Sequence, residues 1–189
     1  MFILASQSPR RRELLSMLGL TFEIITADID ETMDPGLSVD AAVAEVCRKK
    51  AEAVGAGHPG RLIVAADTIV VVDEQKLGKP RSADEARQML RTLSGRSHTV
   101  MTGICLWQDG RYETHVEQTA IRFRPLSDAE IDAYVATGSP MDKAGAYGIQ
   151  DQAAIFVEAL DGDYYNVMGL PLCSLTKRLR NWGIPVLGN

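Results

Sequence analysis

The chain has 189 residues, 46% of them hydrophobic, and its 25 acidic side chains outnumber its 20 basic ones to give a net charge of −5. That is ample apolar material for one globular domain, or for two lobes around a cleft. The acidic balance argues against bulk nucleic-acid binding, which needs a basic footprint, but a small anionic ligand needs only a few clustered cations.

Phe2 to Ala5 is a short apolar run that reads as a buried strand, and it ends in Ser6-Gln7-Ser8-Pro9. Leu14, Leu15, Met17 and Leu18 then recur with helical spacing. Ser8 as N-cap with Pro9 at the first helical position starts that helix, and Gly19 stops it. Thr21 to Thr26 alternates like a strand, Asp28 to Pro35 is an acidic loop, and Ser38 to Val54 reads as a helix with Val39, Ala42, Val43, Val46 and Cys47 on one face. Leu62 to Ala66 and Ile69 to Val72 are β-prone runs interrupted by Asp67-Thr68, and a Gly78-Lys79-Pro80 loop follows. Ser82-x-x-Glu85 reads as a capping box opening a helix that closes near Gly95. His98 to Trp107 and Arg111 to Phe123 are long β-type segments, and Asp109-Gly110 between them is a two-residue hairpin signal. Ser127-x-x-Glu130 opens a further helix ending at Gly138. After an irregular stretch come a strand over Ile155 to Leu160 and a closing helix over Pro171 to Trp182. The expectation is an α/β fold: a mixed twisted sheet with flanking helices, residues 1–189 forming one domain.

Cys47, Cys105 and Cys173 are far apart in apolar contexts without C-x-x-C spacing, so buried free thiols are expected in place of a zinc site or disulfides. The N-terminal apolar stretch is too short for a signal peptide, its charges follow the apolar part, and no run approaches membrane-spanning length. A cytoplasmic location is the expectation.

Several residue groups carry chemistry. Arg10, Arg11 and Arg12 stand in the first turn of a helix, where the dipole disfavours cations. An anion bound there by free N–H groups, hydroxyls and guanidinium forks would explain them, and solvated surface charge is the plain alternative. Asp30-Glu31 is an acidic pair in a loop, a place where such residues are usually only solvated. Asp67 stands inside an apolar β run, where burying even a neutral polar group without a partner costs on the order of 2–7 kcal/mol. It is either a strand-end cap for nearby backbone or a metal ligand or general base. Lys49 and Lys50 lie late in a helix, a position the dipole alone accounts for. Lys79 sits in a stiff Gly/Pro loop suited to presenting a side chain to a ligand. Carboxylates, arginines and lysines together look like a magnesium–triphosphate site, since Mg²⁺ uses one or two carboxylates and otherwise binds water and phosphates. Met141 to Gln150 holds two glycines in a charged, irregular stretch, which is either a shaped loop or a generic surface one. His58, His98 and His115 have no metal-ligand spacing and no triad partners, and the glycines form neither a P-loop nor a dinucleotide fingerprint.

In this order, these residues resemble the Maf family. The resemblance runs through Leu4-Ala5-Ser6-Gln7-Ser8-Pro9-Arg10-Arg11, Ala66-Asp67-Thr68, Leu77-Gly78-Lys79-Pro80, Leu93-Ser94-Gly95, Asp142 to Gln150 and Tyr165 to Leu172, and so spans nearly the whole chain. It implies a fold related to the inosine-triphosphate pyrophosphatases, with an active site in a cleft between two lobes. It also implies hydrolysis of a nucleoside triphosphate to monophosphate and pyrophosphate with a divalent cation, Mg²⁺ or Mn²⁺. By position, Asp67 would be the proton acceptor, and Glu31 would join Asp67 at the metal with Asp30 a neighbour. Ser8, Arg10, Arg11, Lys50 and Lys79 would hold phosphates, while Arg11, Thr68 and Gln150 match positions linked to substrate choice. The loop from Asp142 to Gln150 looks like the branch acting on dTTP and UTP. A branch preferring 7-methyl-GTP differs around Thr68 and in this loop. A nucleotide-binding regulator of septum formation with incidental hydrolysis, and a house-cleaning hydrolase for modified nucleotides, are the competing readings. A homodimer is a further implication of the family, with Arg111 to Arg124 as a candidate pairing edge.

Overall fold

The computed structural model describes residues 1–187. Strand β1 (Phe2–Ala5) is buried at all four positions, as a continuous apolar run requires of a strand covered on both faces. It pairs in parallel with β2 (Phe22–Ile24) on one side and β3 (Ile63–Val72) on the other. Helix α1 (Pro9–Met17) starts where its sequence signals place it, with the Ser8 hydroxyl accepting from the Arg11 backbone N–H at 3.4 Å and Pro9 in the first turn. Its buried face is narrower than the spacing predicts: Leu14 and Leu15 are inside, but Met17 is exposed. Helix α2 (Val39–Gly55), capped by Ser38, buries Ala42, Val43, Val46, Cys47, Ala51 and Val54.

The two apolar runs on either side of Asp67-Thr68 are one strand, β3. The polar pair does not break it, because an extended backbone continues its ladder whatever the side chain, so Asp67 and Thr68 stand half-buried within the strand. A short strand β4 (Gln75–Leu77), which no sequence signal marked, folds back antiparallel on the end of β3. Strands β5 (Ser97–Gln108) and β6 (Arg111–Phe123) are joined at Asp109 and Gly110, both at positive φ (48° and 87°), as the tight two-residue hairpin turn demands. Strand β7 (Val157–Asp161) begins two residues later than predicted, because Gln152–Phe156 forms a 3-10 turn. The strand order is β2-β1-β3-β5-β6-β7, with β4 off that path beside β3. With parallel and antiparallel pairs both present and helices α3 (Ala83–Leu93), α4 (Asp128–Ala136), α5 (Tyr164–Met168) and α6 (Leu172–Asn181) completing the chain, the α/β class with a mixed sheet is what forms. Pairing of β7 with Ala120–Phe123 occupies that end of the candidate β6 edge.

The chain divides into two compact units: Met1–Asp67 with Thr102–Glu117 and the described part of Gly169–Asn189, and Thr68–Met101 with Gln118–Met168. The first holds β1, β2, α1, α2 and α6, with Ile3, Leu4, Leu15, Val43, Ile63, Leu106 and Leu175 among its buried residues. Cys47 and Cys105 are buried as expected, whereas Cys173 is exposed, since it falls on the outer side of α6. The second unit is built around α3 and α4, with Leu90, Leu93, Val100, Ile121, Phe123, Ile131, Tyr134 and Phe156 in one core. Ser127 and Glu130 form the reciprocal capping box of α4. At α3 only half of the box exists: Ser82 accepts from Glu85 N–H, but the Glu85 carboxylate accepts from Arg81 N–H at 2.7 Å. Among the described residues no helix is long and apolar enough to cross a membrane.

His98 lies in the second unit's core, edge-on to Phe123 and Tyr147, with its Nε2 2.8 Å from the Tyr147 hydroxyl. Burial pushes its pKa from the ordinary 6.5 down to about 4. Between those values the unfolded chain binds more protons than the folded one, so stability falls as pH drops through 6.5 toward 4. The expected loss from this residue is about 3 kcal/mol. Urea unfolding across that range should show this extra loss in the wild type and its absence in His98→Gln; equal pH slopes in the two proteins would remove His98 as the cause.

Candidate functional site

In the first unit the Lys50 ammonium is the meeting point of the two predicted carboxylates. Its Nζ lies 2.7 Å from Asp67 Oδ1 and 3.0 Å from Glu31 Oε1. The Lys50 and Asp67 side chains are only 13% and 15% exposed, so this pair is shielded from solvent, whereas Glu31 at 59% reaches in from the loop. Three elements set this arrangement. Helix α2 carries Lys50 near its end, β3 carries Asp67, and the acidic loop after β2 carries Glu31. Asp30 closes its own loop, its Oδ1 accepting from Thr32 N–H at 2.9 Å; that hydrogen bonding holds its carboxyl below the usual range.

Arg11 takes a different place from the one its position in the helix suggested. Its Nε donates to the Gly169 carbonyl at 2.7 Å, and one terminal nitrogen donates to the Ala66 carbonyl at 2.9 Å and to Ser6 Oγ at 3.0 Å. The fork therefore fastens α1 to the strand residue immediately before Asp67 and to the segment before α6. Burial pushes the Arg11 pKa down, and the Asp67 carboxylate works against that shift. Cys47 is a further buried neighbour, its thiol pushed up first by burial and then by Asp67, so it stays protonated. Ser8 Oγ accepts at the helix N-cap, Arg10 is half-buried, and Arg12 is exposed.

Thr68, Lys79 and Gln150 belong to the second unit. Lys79 is exposed in its loop, and the Gly78 carbonyl beside it accepts from Gly145 N–H at 3.0 Å, which ties that loop to the one ending in Gln150. Gln150 is exposed, and Lys143, a member of the same loop, donates to the Ser139 carbonyl at 2.6 Å and to Asp142 at 2.8 Å. Sequence reasoning missed the anchors: the Ala66 and Gly169 carbonyls, which any residue would supply, and Tyr134, whose hydroxyl meets Gly148 N–H and the Asp151 carboxylate beside Gln150.

The donor set fits a divalent cation shared with substrate. Glu31 and Asp67 already bring oxygens to one cation, the lysine ammonium. Among the described residues no group of three or more His, Cys, Asp or Glu side chains is placed to hold a metal alone. Two carboxylates completed by phosphate and water oxygens is the arrangement magnesium ordinarily uses.

The family model described as Maf-like protein matches residues 1–182. The chain belongs to the Maf-like family. It is 50% identical to the dTTP/UTP pyrophosphatase of Halalkalibacterium halodurans, over 96% of this chain and 95% of that one. With the dTTP/UTP pyrophosphatase of Salinibacter ruber it shares 52% identity, over 94% of this chain and 89% of that one. Among solved structures, the Ham1 protein of Staphylococcus aureus superposes with a TM-score of 0.55 at 13% identity, covering 95% of this chain and 98% of that one. The HAM1 protein of Coxiella burnetii gives 0.55 at 18% identity, over 96% and 100%. These two likenesses establish that this Maf-like chain shares their fold.

Replacing Arg11 by Lys keeps the charge but cannot reproduce a fork bonded to three oxygens. The variant should be destabilised by about 1–3 kcal/mol in chemical unfolding, the cost of leaving buried acceptors unsatisfied. Wild-type stability in Arg11→Lys would mean the fork holds nothing in place.

Proposed function

We propose that this Maf-like chain is a nucleoside-triphosphate pyrophosphatase that hydrolyses dTTP and UTP to the nucleoside monophosphate and pyrophosphate. One observation carries the chemistry: a shielded carboxylate, Asp67, fixed by Lys50 at 2.7 Å in a mostly apolar strand, with Glu31 on the same ammonium. The names of relatives sharing about half of its residues over nearly its full length support the substrate.

In this reading the Asp67 carboxylate takes a proton from water as the water oxygen bonds to the α-phosphorus. The bond from that phosphorus to the bridging oxygen breaks, and pyrophosphate leaves with the electron pair. Lys50 sets the position of the Asp67 carboxylate, and Arg11 sets the backbone just before it, so the base need not reorganise during the reaction. Ser8, Arg10, Arg11, Lys50 and Lys79 are assigned to phosphate oxygens, where their donors stabilise charge developing on the leaving group. Glu31 and Asp67 are the residues that would hold Mg²⁺ or Mn²⁺, which when bound supplies neutralisation of phosphate charge and polarisation of the phosphorus. Gln150, through an amide that both donates and accepts, is assigned to the uracil or thymine edge, with Thr68 as a second determinant of substrate choice.

Two measurements test this. A panel of canonical and modified triphosphates with product identification should give pyrophosphate, fastest from dTTP and UTP; orthophosphate as the first product would sink the reading. Asp67→Asn, nearly the same in shape, should fold normally and lose on the order of a thousandfold in kcat, as removal of a general base does. Turnover close to wild type would take the base role from Asp67.

A further inference from the structure

Gln150 is the middle of a tight turn, and one phenol holds both ends of that turn. Asp151 N–H donates to the Gly148 carbonyl at 3.2 Å, which makes residues 148–151 a turn with Ile149 and Gln150 at its centre. The Tyr134 hydroxyl, from α4, accepts from Gly148 N–H at 3.2 Å and donates to the Asp151 carboxylate, whose two oxygens are each 3.1 Å away. The carboxylate is held from other directions as well. Ser139 Oγ donates to Asp151 Oδ2 at 2.6 Å, Lys143 Nζ is 3.5 Å from that oxygen, and Ala153 N–H donates to Oδ1 at 2.9 Å. Tyr134 is almost fully buried in the second unit's core, edge-on to Phe156, so its ring cannot follow a moving loop. Burial, and then the neighbouring Asp151 carboxylate, push its phenol well above the ordinary value, which keeps the proton that this bond requires. A Cβ at Gly148 would stand 2.6 Å from Lys143 Cε and 2.7 Å from Asp151 Oδ2, so a side chain there would have to displace these two groups.

We propose that Tyr134 is a positioning residue for substrate choice, clamping the 148–151 turn so that the Gln150 side chain reaches the base edge from one fixed backbone position. The inference rests on the assignment of Gln150 to the base. Its physical motive is that an amide turned over by half a rotation exchanges donor and acceptor. A loose glutamine would suit a cytosine edge, with its N4 donor and N3 acceptor, as readily as a uracil or thymine edge, with its N3 donor and O4 acceptor. A backbone held still limits the positions from which the Gln150 amide can reach either edge, and the clamp holds it from a buried ring.

The test compares kcat/KM for dTTP and CTP in the wild type, Tyr134→Phe, Gln150→Ala and the double variant, with melting temperatures recorded for each. Tyr134→Phe removes one oxygen. It should lower the dTTP-to-CTP ratio about tenfold, the size expected for losing a hydrogen bond to a charged group. The change should appear in KM, with kcat for dTTP within about twofold of wild type, because the chemistry at Asp67 is untouched. The double variant should discriminate no worse than Gln150→Ala alone. A purely structural tyrosine would lower the melting temperature and leave the ratio where it was. That result, with Gln150→Ala still lowering the ratio, overturns the clamp and keeps the role of Gln150. An unchanged ratio in Gln150→Ala overturns the assignment of Gln150 to the base and the clamp with it. If Tyr134→Phe does not fold, Asp151→Asn carries the test: it keeps the shape and loses the charge, and should shift the ratio in the same direction by a smaller factor. No shift in that variant overturns the clamp equally.

Discussion

A carboxylate inside an apolar strand has to be compensated, and the first unit is organised around that requirement. Asp67 and its neighbour Thr68 are the polar residues of β3, and an unpaired charge there would cost several kcal/mol. Lys50 supplies the counter-charge from the end of α2, and Glu31 leans on the same ammonium from its loop. Because Lys50 and Asp67 are both shielded, their attraction is screened far less than that of the exposed ion pairs on α3 and α4. Removing Lys50 would leave the Asp67 charge without this counter-charge, whereas without Asp67 the ammonium keeps Glu31.

The same economy of movement appears at Arg11. A guanidinium at a helix start reads as an anion ligand, yet here its fork is bonded to two backbone carbonyls and a serine hydroxyl. It acts on the site through the backbone of Ala66, one residue before the acid. In the second unit Tyr134 and Asp151 play a comparable part for Gln150, holding a turn from a buried ring. In both units a residue assigned to the reaction is held in place by a neighbouring side chain: Asp67 by Lys50 and the Gln150 turn by Tyr134. Rigid placement of this kind lets charge and hydrogen-bond donors act without reorganising during a reaction.

Much of the fold was legible in the residues. The start of α1 at Ser8-Pro9, the Asp109-Gly110 hairpin and the α4 capping box are local signals, and each formed where its chemistry put it. Local signals failed where an element's existence depends on a distant partner. Asp67-Thr68 looked like a break and is continuous strand, β4 exists only because β3 offers it an edge, and Glu85 found Arg81 N–H in place of Ser82 N–H. Met17 and Cys173, apolar in sequence, are exposed because among the described residues those faces of α1 and α6 are left uncovered.

For the site, the sequence by itself determined the inventory: which acids, cations and amide the chain possesses, the anomaly of a carboxylate among aliphatics, and the motif order that marks the family. Only the tertiary structure decided who meets whom. It put Lys50 on Asp67 and Glu31 across 17 and 19 residues of chain, spent Arg11 on carbonyls, and separated Asp30 from Glu31. The reason is physical. Backbone carbonyls carry no sequence signature, and a side chain's partner is set by packing between elements that the spacing of residues along the chain does not encode.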